Sequence, residues 1–397
     1  MLTRVVRKAA GLLILTFLSV ALLAACDYLP SSGPSTSEVT AGARPTATGG
    51  TRFALIDVDA AVVNKMETWS AASLQGTFGQ QRPASGQVIG VGDYVQVVIW
   101  EAAAGGLFSA PATQIAVGGG SRSATIPEQV VGPDGAITVP YAGRVRVSGR
   151  TPEQIEQAIV AALQGKAIEP QALVTVTKNI ANTVTVVSEL TGGSRVPLTT
   201  RGDRILDVVA TSGGTKAPPH ETFVTLVREG RSLRIPMQAI LSNPAENVFV
   251  RPGDVISIAR ETQTFTAAGA TGLNSVVPFD AMGINLDQAI ARAGGLNDQR
   301  SDPSGVFVIR YEPAADYDQL GFRRPDAGSQ SQVPTIYRVN MRDPNGFFLT
   351  RRFPIRNKDI LYVSNAPVME VQKVIAIILP FVGVGATAVG VAAVARQ

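Results

Sequence analysis

The residue types that carry most enzyme and metal chemistry are scarce in this chain. Its 397 residues include a single cysteine, Cys26, and a single histidine, His220. One cysteine excludes a disulfide within the chain and a multi-cysteine metal cluster, and one histidine excludes a site built on paired imidazoles. His220 follows two prolines in a loop-like stretch, where a solvated side chain is expected. The sequence therefore predicts no catalytic residue, no metal and no cofactor.

Turns that contain glycine are the remaining candidates for chemistry. The Gly-Gly pairs follow predicted helices, whereas a phosphate cradle precedes one, so we reject nucleotide binding. The Gly-Asp turns recur before strands, which is typical of a structural device, and a glycosidase would need two acids that converge on one cleft. The predicted structural turn residues are Gly92 with Asp93, Asp134 with Gly135, Gly213 with Gly214, Gly253 with Asp254, and Gly294 with Gly295.

Cys26 stands where a secretory signal peptide would end. The first residues are basic, and an apolar run extends from Ala9 to Ala25. The run closes in Leu-Ala-Ala-Cys, which resembles the bacterial lipoprotein box, so we expect Cys26 to be acylated and to become the mature N-terminus. The acyl chains would bury several dozen methylenes at about 0.8 kcal/mol each, which anchors a protein without a spanning helix. The alternative interpretation is a chance buried cysteine.

An uncharged segment of membrane length lies near the end of the sequence. Val374 to Ala395 carry no charged residue, and about 22 residues at 1.5 Å each reach roughly 33 Å, the thickness of a bilayer core. We expect a C-terminal membrane helix that is kinked or broken at Pro380. The alternative is an ordinary buried core helix. Small residues that fall on one stripe, and so invite a neighbouring helix or a lumen, are Ala376, Pro380, Gly383, Thr387 and Gly390.

Composition indicates a β-rich protein of several domains that does not bind nucleic acid. The chain has 39 glycines, 25 prolines and 6% aromatic residues, which favours many short strands and turns. Its net charge of +4 includes Arg4, Arg7 and Lys8 of the signal peptide, and without them 32 basic residues face 31 acidic ones. The mature chain has no Lys/Arg-rich run of the kind nucleic-acid binders carry.

The segment between the ends begins with a tether and a small α+β module. Pro30 to Gly50 is polar and rich in breakers, which predicts a flexible tether. The apolar pattern of Phe53 to Trp69 predicts a strand or short helix that joins the folded body. Beyond it, the Gly92-Asp93 turn leads into a β-prone run, and Thr151-Pro-Glu-Gln predicts a helix with a capping box. Leu173 to Thr177 read as a closing strand.

Two copies of one module follow. Val196-Pro197 recurs as Val277-Pro278 at an offset of 81 residues, and at the same offset Arg204 to Gly214 recurs as Asn285 to Gly295. Each copy is predicted to run strand, short amphipathic helix ended by Gly-Gly, and strand, and then to close on a strand that follows Arg-x-x-Asp. We interpret each copy as a β-grasp-like unit whose strands wrap one helix.

These motifs together resemble a known family. The Gly90 to Asp93 strand entry, the Asp134-Gly-x-Ile-x-x-Pro-x-x-Gly143 run and the Thr151 helix resemble the polysaccharide export domain, and the Gly-Gly modules resemble soluble-ligand-binding β-grasp repeats. Their order, behind a lipoprotein signal and ahead of a C-terminal helix, is similar to the outer-membrane polysaccharide export proteins, especially the capsule branch. The resemblance covers roughly Val88 to Gln397.

The resemblance implies a fold and a function. It implies a ring of about eight subunits, a periplasmic cylinder, and C-terminal helices that form an α-helical barrel across the outer membrane. Capsular or extracellular polysaccharide would pass through the lumen, and an inner-membrane co-polymerase or export transporter would be a partner. The implied protein is a palmitate-bearing lipoprotein and a porin-like sugar-transport channel, not an enzyme. It would be anchored in the outer membrane by lipid, with most of its mass in the periplasm.

The expected fold class is α+β, and a second function stays open. The alternative is a lipid-anchored ligand-binding or scaffold protein, because Asp27 directly after Cys26 is associated with inner-membrane retention in enteric bacteria. A glycan hydrolase is the weakest alternative, since no acid pair emerges. The predicted domains are a lipoprotein signal peptide over 1–26, a lipid tether and N-terminal segment over 27–84, a polysaccharide export domain over 85–182, β-grasp repeats over 183–262 and 263–366, and a C-terminal membrane helix over 367–397.

Overall fold

The computed structural model describes residues 33–43, 53–69, 73–79, 88–102, 107–108, 122–189, 192–325 and 331–367. Contacts divide the chain into two compact units. One spans 72–261, and the other combines the residues up to 71 with those from 262 onwards. The N-terminal residues therefore fold with the C-terminal half of the chain, which sequence proximity alone does not predict.

The first described elements precede the export-like module. They are α1 (Thr36–Gly42), β1 (Ala54–Asp57), α2 (Ala60–Trp69) and α3 (Leu74–Phe78). The flexible tether predicted over Pro30 to Gly50 is wrong for its described part, because α1 is a helix there. Ser35 accepts from the backbone N–H of Glu38 while the Glu38 carboxylate accepts from the N–H of Ser35, so a capping box nucleates this short helix.

The module after Gly92-Asp93 is a small α+β fold, as expected. Its strands are β2 (Tyr94–Glu101), β3 (Arg122–Val130), β4 (Ala136–Val139), β5 (Gly143–Arg146) and β6 (Gln171–Lys178). β2 is the central strand of an antiparallel sheet with β3 and β6, and β4 and β5 form a hairpin. Along β2 half-buried positions alternate with buried ones, because one face of the sheet covers the core.

A helix covers this module, and the capping box predicted for it is confirmed. In α4 (Pro152–Leu163) the Thr151 hydroxyl accepts from the N–H of Gln154, and the Gln154 side chain accepts from the N–H of Thr151. One face of the helix is fully buried: Ile155, Ile159 and Leu163. Their spacing of four residues places the three side chains on a single stripe against the sheet.

The first repeat is a five-stranded mixed sheet. Its strands are β7 (Thr183–Ser188), β8 (Gly192–Pro197), β9 (Thr222–Arg228), β10 (Arg231–Pro236) and β11 (Val255–Arg260), and its helices are α5 (Ile205–Thr211) and α6 (Met237–Ser242). The strand order is β10-β9-β11-β7-β8, with β11 parallel to β7 and the other pairs antiparallel. Leu74 and Phe78 of α3 complete the core of this repeat.

The second repeat has the same order with one strand added. Its strands are β12 (Gln263–Gly269), β13 (Ser275–Phe279), β14 (Ile284–Asn285), β15 (Ser301–Pro313), β16 (Gln332–Val339), β17 (Pro354–Ile355) and β18 (Ile360–Asn365), and its helices are α7 (Leu286–Arg292), α8 (Ala314–Leu320) and α9 (Pro344–Thr350). The order β1-β16-β15-β18-β12-β13 repeats that of the first sheet and adds β1 beside β16. The predicted duplication is thereby confirmed at the level of topology.

The expectation of one helix per repeat is incomplete. α6 in the first repeat, and α8 and α9 in the second, are additional short helices of six or seven residues. Isolated helices of this length are marginal, so they form because each buries side chains on the sheet, such as Met237 and Ile240 of α6. Such helices carry too few residues for a periodic pattern to predict them.

The N-terminal segment is an integral part of the second repeat. β1 pairs in parallel with β16, with Ile56 opposite Tyr337. Ile56 and the α2 residues Val63 and Met66 are buried in the same core as Tyr337. The strand or helix predicted over Phe53 to Trp69 is confirmed, and both element types occur there.

Candidate functional site

The first Gly-Asp turn ties two segments of the export-like module together. Gly92 has φ +91°, a conformation that favours glycine. The buried Asp93 carboxylate accepts from the N–H groups of Ile180 and Ala181, both at 2.7 Å, and from that of Gly90 at 2.8 Å. All of these partners are backbone donors, so the geometry gives Asp93 a structural role at the start of β2.

The corresponding turns of the two repeats each hold a buried ion pair. Asp254, after Gly253, lies 2.6 Å from Nη2 of Arg228, and Asp359 lies 2.6 Å from Nη2 of Arg310. All four of these side chains are at most 4% exposed. Burial raises the pKa of Asp359, although the Arg310 guanidinium acts in the opposite direction. The same kind of ion pair therefore joins β9 to β11 in the first repeat and β15 to β18 in the second.

The Pro-Asp-Gly turn lies between the β3 strand and the β4–β5 hairpin, with Pro133 and Asp134 exposed and Gly135 buried. Asp134 forms an ion pair with Arg144 in which both side chains are about half exposed or more. Gly135 has φ +71°, and a Cβ there would lie 2.7 Å from the Cβ of Ser148. The glycine is thus required both by the backbone conformation and by the neighbouring side chain.

The Gly-Gly pairs lie at the C-terminal ends of α5 and α7. Gly213, Gly214, Gly294 and Gly295 all have positive φ, between +72° and +105°. The N–H of Gly214 donates to the carbonyl of Val209, and the second glycine of the other pair donates in the same way to its helix. These N–H groups serve the helix ends, and this geometry gives no phosphate cradle.

A buried cluster of charged residues occurs in the second repeat and has no predicted counterpart. Glu312 is fully buried, accepts from Nη1 of Arg356 at 2.7 Å and from the Tyr337 hydroxyl at 2.8 Å, and pairs with Arg310 at 3.3 Å. Burial, and then the charge of Glu312, raises the pKa of Tyr337. The cluster connects with Asp359 through Arg310, so one network spans the end of the sheet.

A second group of polar side chains fastens α1 to the end of the last strand. We call it the clasp, and it consists of Thr36, Asp302 and Ser364. The Thr36 hydroxyl lies 2.9 Å from Oδ2 of Asp302 and 2.7 Å from the hydroxyl of Ser364. Beside it, the Tyr362 hydroxyl donates to the carbonyl of Pro34 at 2.7 Å. The clasp brings residues that are more than 300 positions apart into direct contact.

Neither the buried cluster nor the clasp follows from the sequence pattern. The arginines of the two ion pairs lie in matching strands, so an alignment of the repeats could have indicated Arg228 and Arg310. Glu312 and Thr36 have no such signal, because one lies in an extension absent from the first repeat and the other lies in a segment of tether-like composition. Folding alone brings them to their partners.

The predicted membrane-directed residues lie outside the described residues. These are Cys26, Ala376, Pro380, Gly383, Thr387 and Gly390. In the described part of the chain, none of the helices combines the length and apolarity needed to cross a membrane. Across the same ranges, His, Cys, Asp and Glu side chains do not gather in threes or more as metal ligands would.

Two family models match this chain. Residues 81–177 match a model described as polysaccharide biosynthesis/export protein, and residues 263–363 match the SLBB domain. The first match covers the module of β2 to β6 and α4. The second covers the second repeat from β12 into β18.

Relatives match almost the whole length. The chain is 38% identical over 373 residues to the capsule polysaccharide export outer membrane protein CtrA of Neisseria meningitidis serogroup A, covering 92% of this chain and 94% of the relative. It is 38% identical to the capsule polysaccharide export protein BexD of Haemophilus influenzae, covering 90% and 92%. It is 29% identical to the Vi polysaccharide export protein VexA/TviF of Salmonella typhi, covering 60% and 64%. The resemblance read from the motifs is thus confirmed, and the chain belongs to the family of capsule polysaccharide export proteins.

Proposed function

We propose that this chain is the outer-membrane component of a polysaccharide exporter, a passive conduit through which capsular or extracellular polysaccharide reaches the cell surface. The observation that carries the proposal is the similarity over 92% of the chain to a relative named as a capsule polysaccharide export outer membrane protein. Relatives named as export proteins make this a transport function and not an enzymatic one.

The two ends of the chain would supply the membrane attachment. Acylation of Cys26 and a C-terminal membrane helix over 367–397 would hold the protein at the outer membrane, with most of its mass in the periplasm. The clasp supports this arrangement, because Thr36 lies ten residues after Cys26 and contacts Ser364, which precedes Val374 by ten residues. Both attachments would thus start from one place on the second repeat.

The conduit itself would be a ring of about eight copies. The small-residue stripe from Ala376 to Gly390 would let C-terminal helices of neighbouring copies pack closely around a lumen. The export domain over 85–182 and the repeats over 183–262 and 263–366 would form the periplasmic part. An inner-membrane co-polymerase or export transporter would deliver the polymer to this part.

A tag after Gln397 tests the proposal in the bacterium that carries the gene. We expect the tag to be labelled on intact cells, and we expect deletion of the gene to abolish surface polysaccharide until the tagged chain is restored. Labelling only after permeabilisation, with surface polysaccharide unaffected by the deletion, would instead favour a lipid-anchored periplasmic scaffold. A tag inserted near His220, in the short 3₁₀ helix Pro219–Glu221 of the first repeat, is the periplasmic control and should label only in permeabilised cells.

A further inference from the structure

A pocket of about 440 Å³ lies at the end of the second repeat, beside the buried cluster. Its volume is in the range of about 300 to 1,000 Å³ that is usual for small-molecule sites. Four side chains of the wall are polar, and two of its apolar side chains are flexible methionines. These are Arg356, Asp316, Gln288, Asn285, Met66 and Met282.

The guanidinium of Arg356 in this pocket is bound by a buried carboxylate, that of Glu312. Glu312 is fully buried and binds Nη1 of Arg356 at 2.7 Å, while one third of the Arg356 side chain is exposed. Asp316 is similarly exposed, and its carboxylate lies 3.7 Å from the same nitrogen. Burying a carboxylate costs free energy, so a fully buried Glu312 must be offset by the contacts it makes or by a function it serves.

The first repeat forms the same sheet without a counterpart of this carboxylate. Its Arg228–Asp254 pair corresponds to the Arg310–Asp359 pair of the second repeat. In each sheet the first residue of the last strand pairs with one residue of a neighbouring strand, and the arginine is the next residue along that neighbouring strand. In the first repeat the chain turns directly after Arg228, at Glu229 and Gly230.

In the second repeat the strand continues where the first repeat turns. Tyr311, Glu312 and Pro313 extend β15 and pair with β16. The extension supplies Glu312 and leads into α8, which carries Asp316. The extension adds to a sheet that closes without it in the first repeat, and it places Asp316 beside Arg356 in a pocket, as expected of a binding site.

We propose that this pocket binds a neutral sugar unit through two adjacent hydroxyl groups. The Asp316 carboxylate accepts from one hydroxyl, and the Arg356 guanidinium donates to its neighbour. Met282, which is half exposed, faces the apolar C–H side of the ring, and the amides of Gln288 and Asn285 add polar contacts at the rim. Glu312 is a positioning residue that fixes the guanidinium.

The charge around the pocket favours a neutral ligand over an acidic one. Two guanidinium groups, of Arg310 and Arg356, face three carboxylates, of Glu312, Asp316 and Asp359. In the wall itself Arg356 and Asp316 balance each other, so the pocket offers an anion no net positive charge. This assignment rests on the proposed function, which makes a polysaccharide the transported polymer. The pocket would bind a neutral sugar unit of that polymer.

The test compares two aspartates on one helix. Asp316 faces the pocket, whereas Asp318 is half exposed and pairs with Arg324 outside it. Purified full-length protein is titrated with the methyl glycosides of glucose, galactose and mannose, and with N-acetylneuraminic acid, and binding is followed by saturation-transfer NMR. We expect at least one neutral glycoside to bind, with affinity about tenfold lower in Asp316→Asn and unchanged in Asp318→Asn.

Several results would overturn the assignment. They are absence of binding by all three neutral glycosides, equal binding in Asp316→Asn, or tighter binding of the acidic sugar. Thermal unfolding of both variants shows whether either change acts through stability. Surface polysaccharide is measured separately on cells that carry the wild-type chain, so failed export with intact sugar binding would count against the proposed function alone, and lost binding with intact export against the pocket alone.

Discussion

At the scale of single residues, the aspartates that precede β2, β11 and β18 act in the interior of the protein. Asp93 binds three backbone N–H groups, whereas Asp254 and Asp359 each bind an arginine from a neighbouring strand. Removing one partner of a buried ion pair strongly lowers the stability of the folded protein, because the other charge is left buried without compensation. These residues therefore contribute to stability, and their recurrence reflects one solution to closing a sheet, used in both repeats.

Asp254→Asn should destabilise the protein strongly. The change leaves the Arg228 guanidinium buried without a counter-charge, so we expect the free energy of unfolding to fall by about 3 kcal/mol, measured by chemical denaturation of the purified protein. Asp134→Asn is the matched control, since its exposed pair with Arg144 should contribute less than about 1 kcal/mol. Similar losses of unfolding free energy in the two variants would show that the buried ion pair contributes no more to stability than the exposed one.

At the scale of elements, the N-terminal segment decides how the second repeat is completed. β1 covers the outer edge of β16, whereas the corresponding strand β10 of the first repeat is the last strand of its sheet among the described residues. α2 closes the main core, and α1 covers a separate buried cluster that contains Phe307 and Tyr362. The segment is thus a structural part of the repeat, fastened by the clasp.

The clasp should loosen in acid. Burial raises the pKa of Asp302, but hydrogen bonds from Ser304 and Thr36 and the charge of Arg342 outweigh it, so the pKa lies below its ordinary value. Because the folded-state pKa is depressed, the contribution to stability is complete above the unfolded value of about 3.9 and is lost as pH falls through the folded pKa. Hydrogen exchange of α1, corrected for the intrinsic rate, should therefore accelerate as the solution is acidified.

Asp302→Asn separates this effect from general acid unfolding. The variant should show faster exchange in α1 at neutral pH and a flatter dependence on acid, while α4 in the other unit exchanges alike in both proteins. An unchanged acid profile in the variant would exclude Asp302 as the titrating group of the clasp.

At the scale of the whole molecule, the two repeats share one sheet topology but carry different additional elements. The first repeat receives α3 in its core, and the second receives β1, α1 and α2 together with the extension of β15. Among these additions, α1 contacts the last strand, β18, through the hydrogen bond between Thr36 and Ser364. In the proposed exporter this repeat would be the one closest to the membrane.

Cys26→Ser should release the protein from its membrane. If Cys26 carries the lipid, the serine variant incorporates no labelled palmitate, and its membrane-bound fraction falls because the buried methylenes of the acyl chains are lost. Asp27→Ser is the matched control, which should keep the lipid label and test the sorting role of the neighbouring aspartate. Equal palmitate labelling of Cys26→Ser and the unaltered chain would refute the lipoprotein prediction.

The sequence by itself determined the α+β class, the duplication and the family. These depend on local or repeated signals: the capping box at Thr151, the glycines at positive φ in the turns, and the constant offset between the repeats. The capping box and the turns operate within a few residues, and the offset is a comparison of the sequence with itself, so all three can be recognised before the chain is folded.

Only the tertiary structure decided which distant residues meet. The polar stretch around Thr36 has the composition of a tether, yet it forms a helix: the capping box of Ser35 and Glu38 starts it, and contacts with Asp302 and Ser364 hold it against the second repeat. Glu312 is indistinguishable in the sequence from a solvated glutamate, and its burial follows from the strand extension and from Arg310, Tyr337 and Arg356 around it. Long-range pairing selects these positions through packing and charge, which no local pattern records.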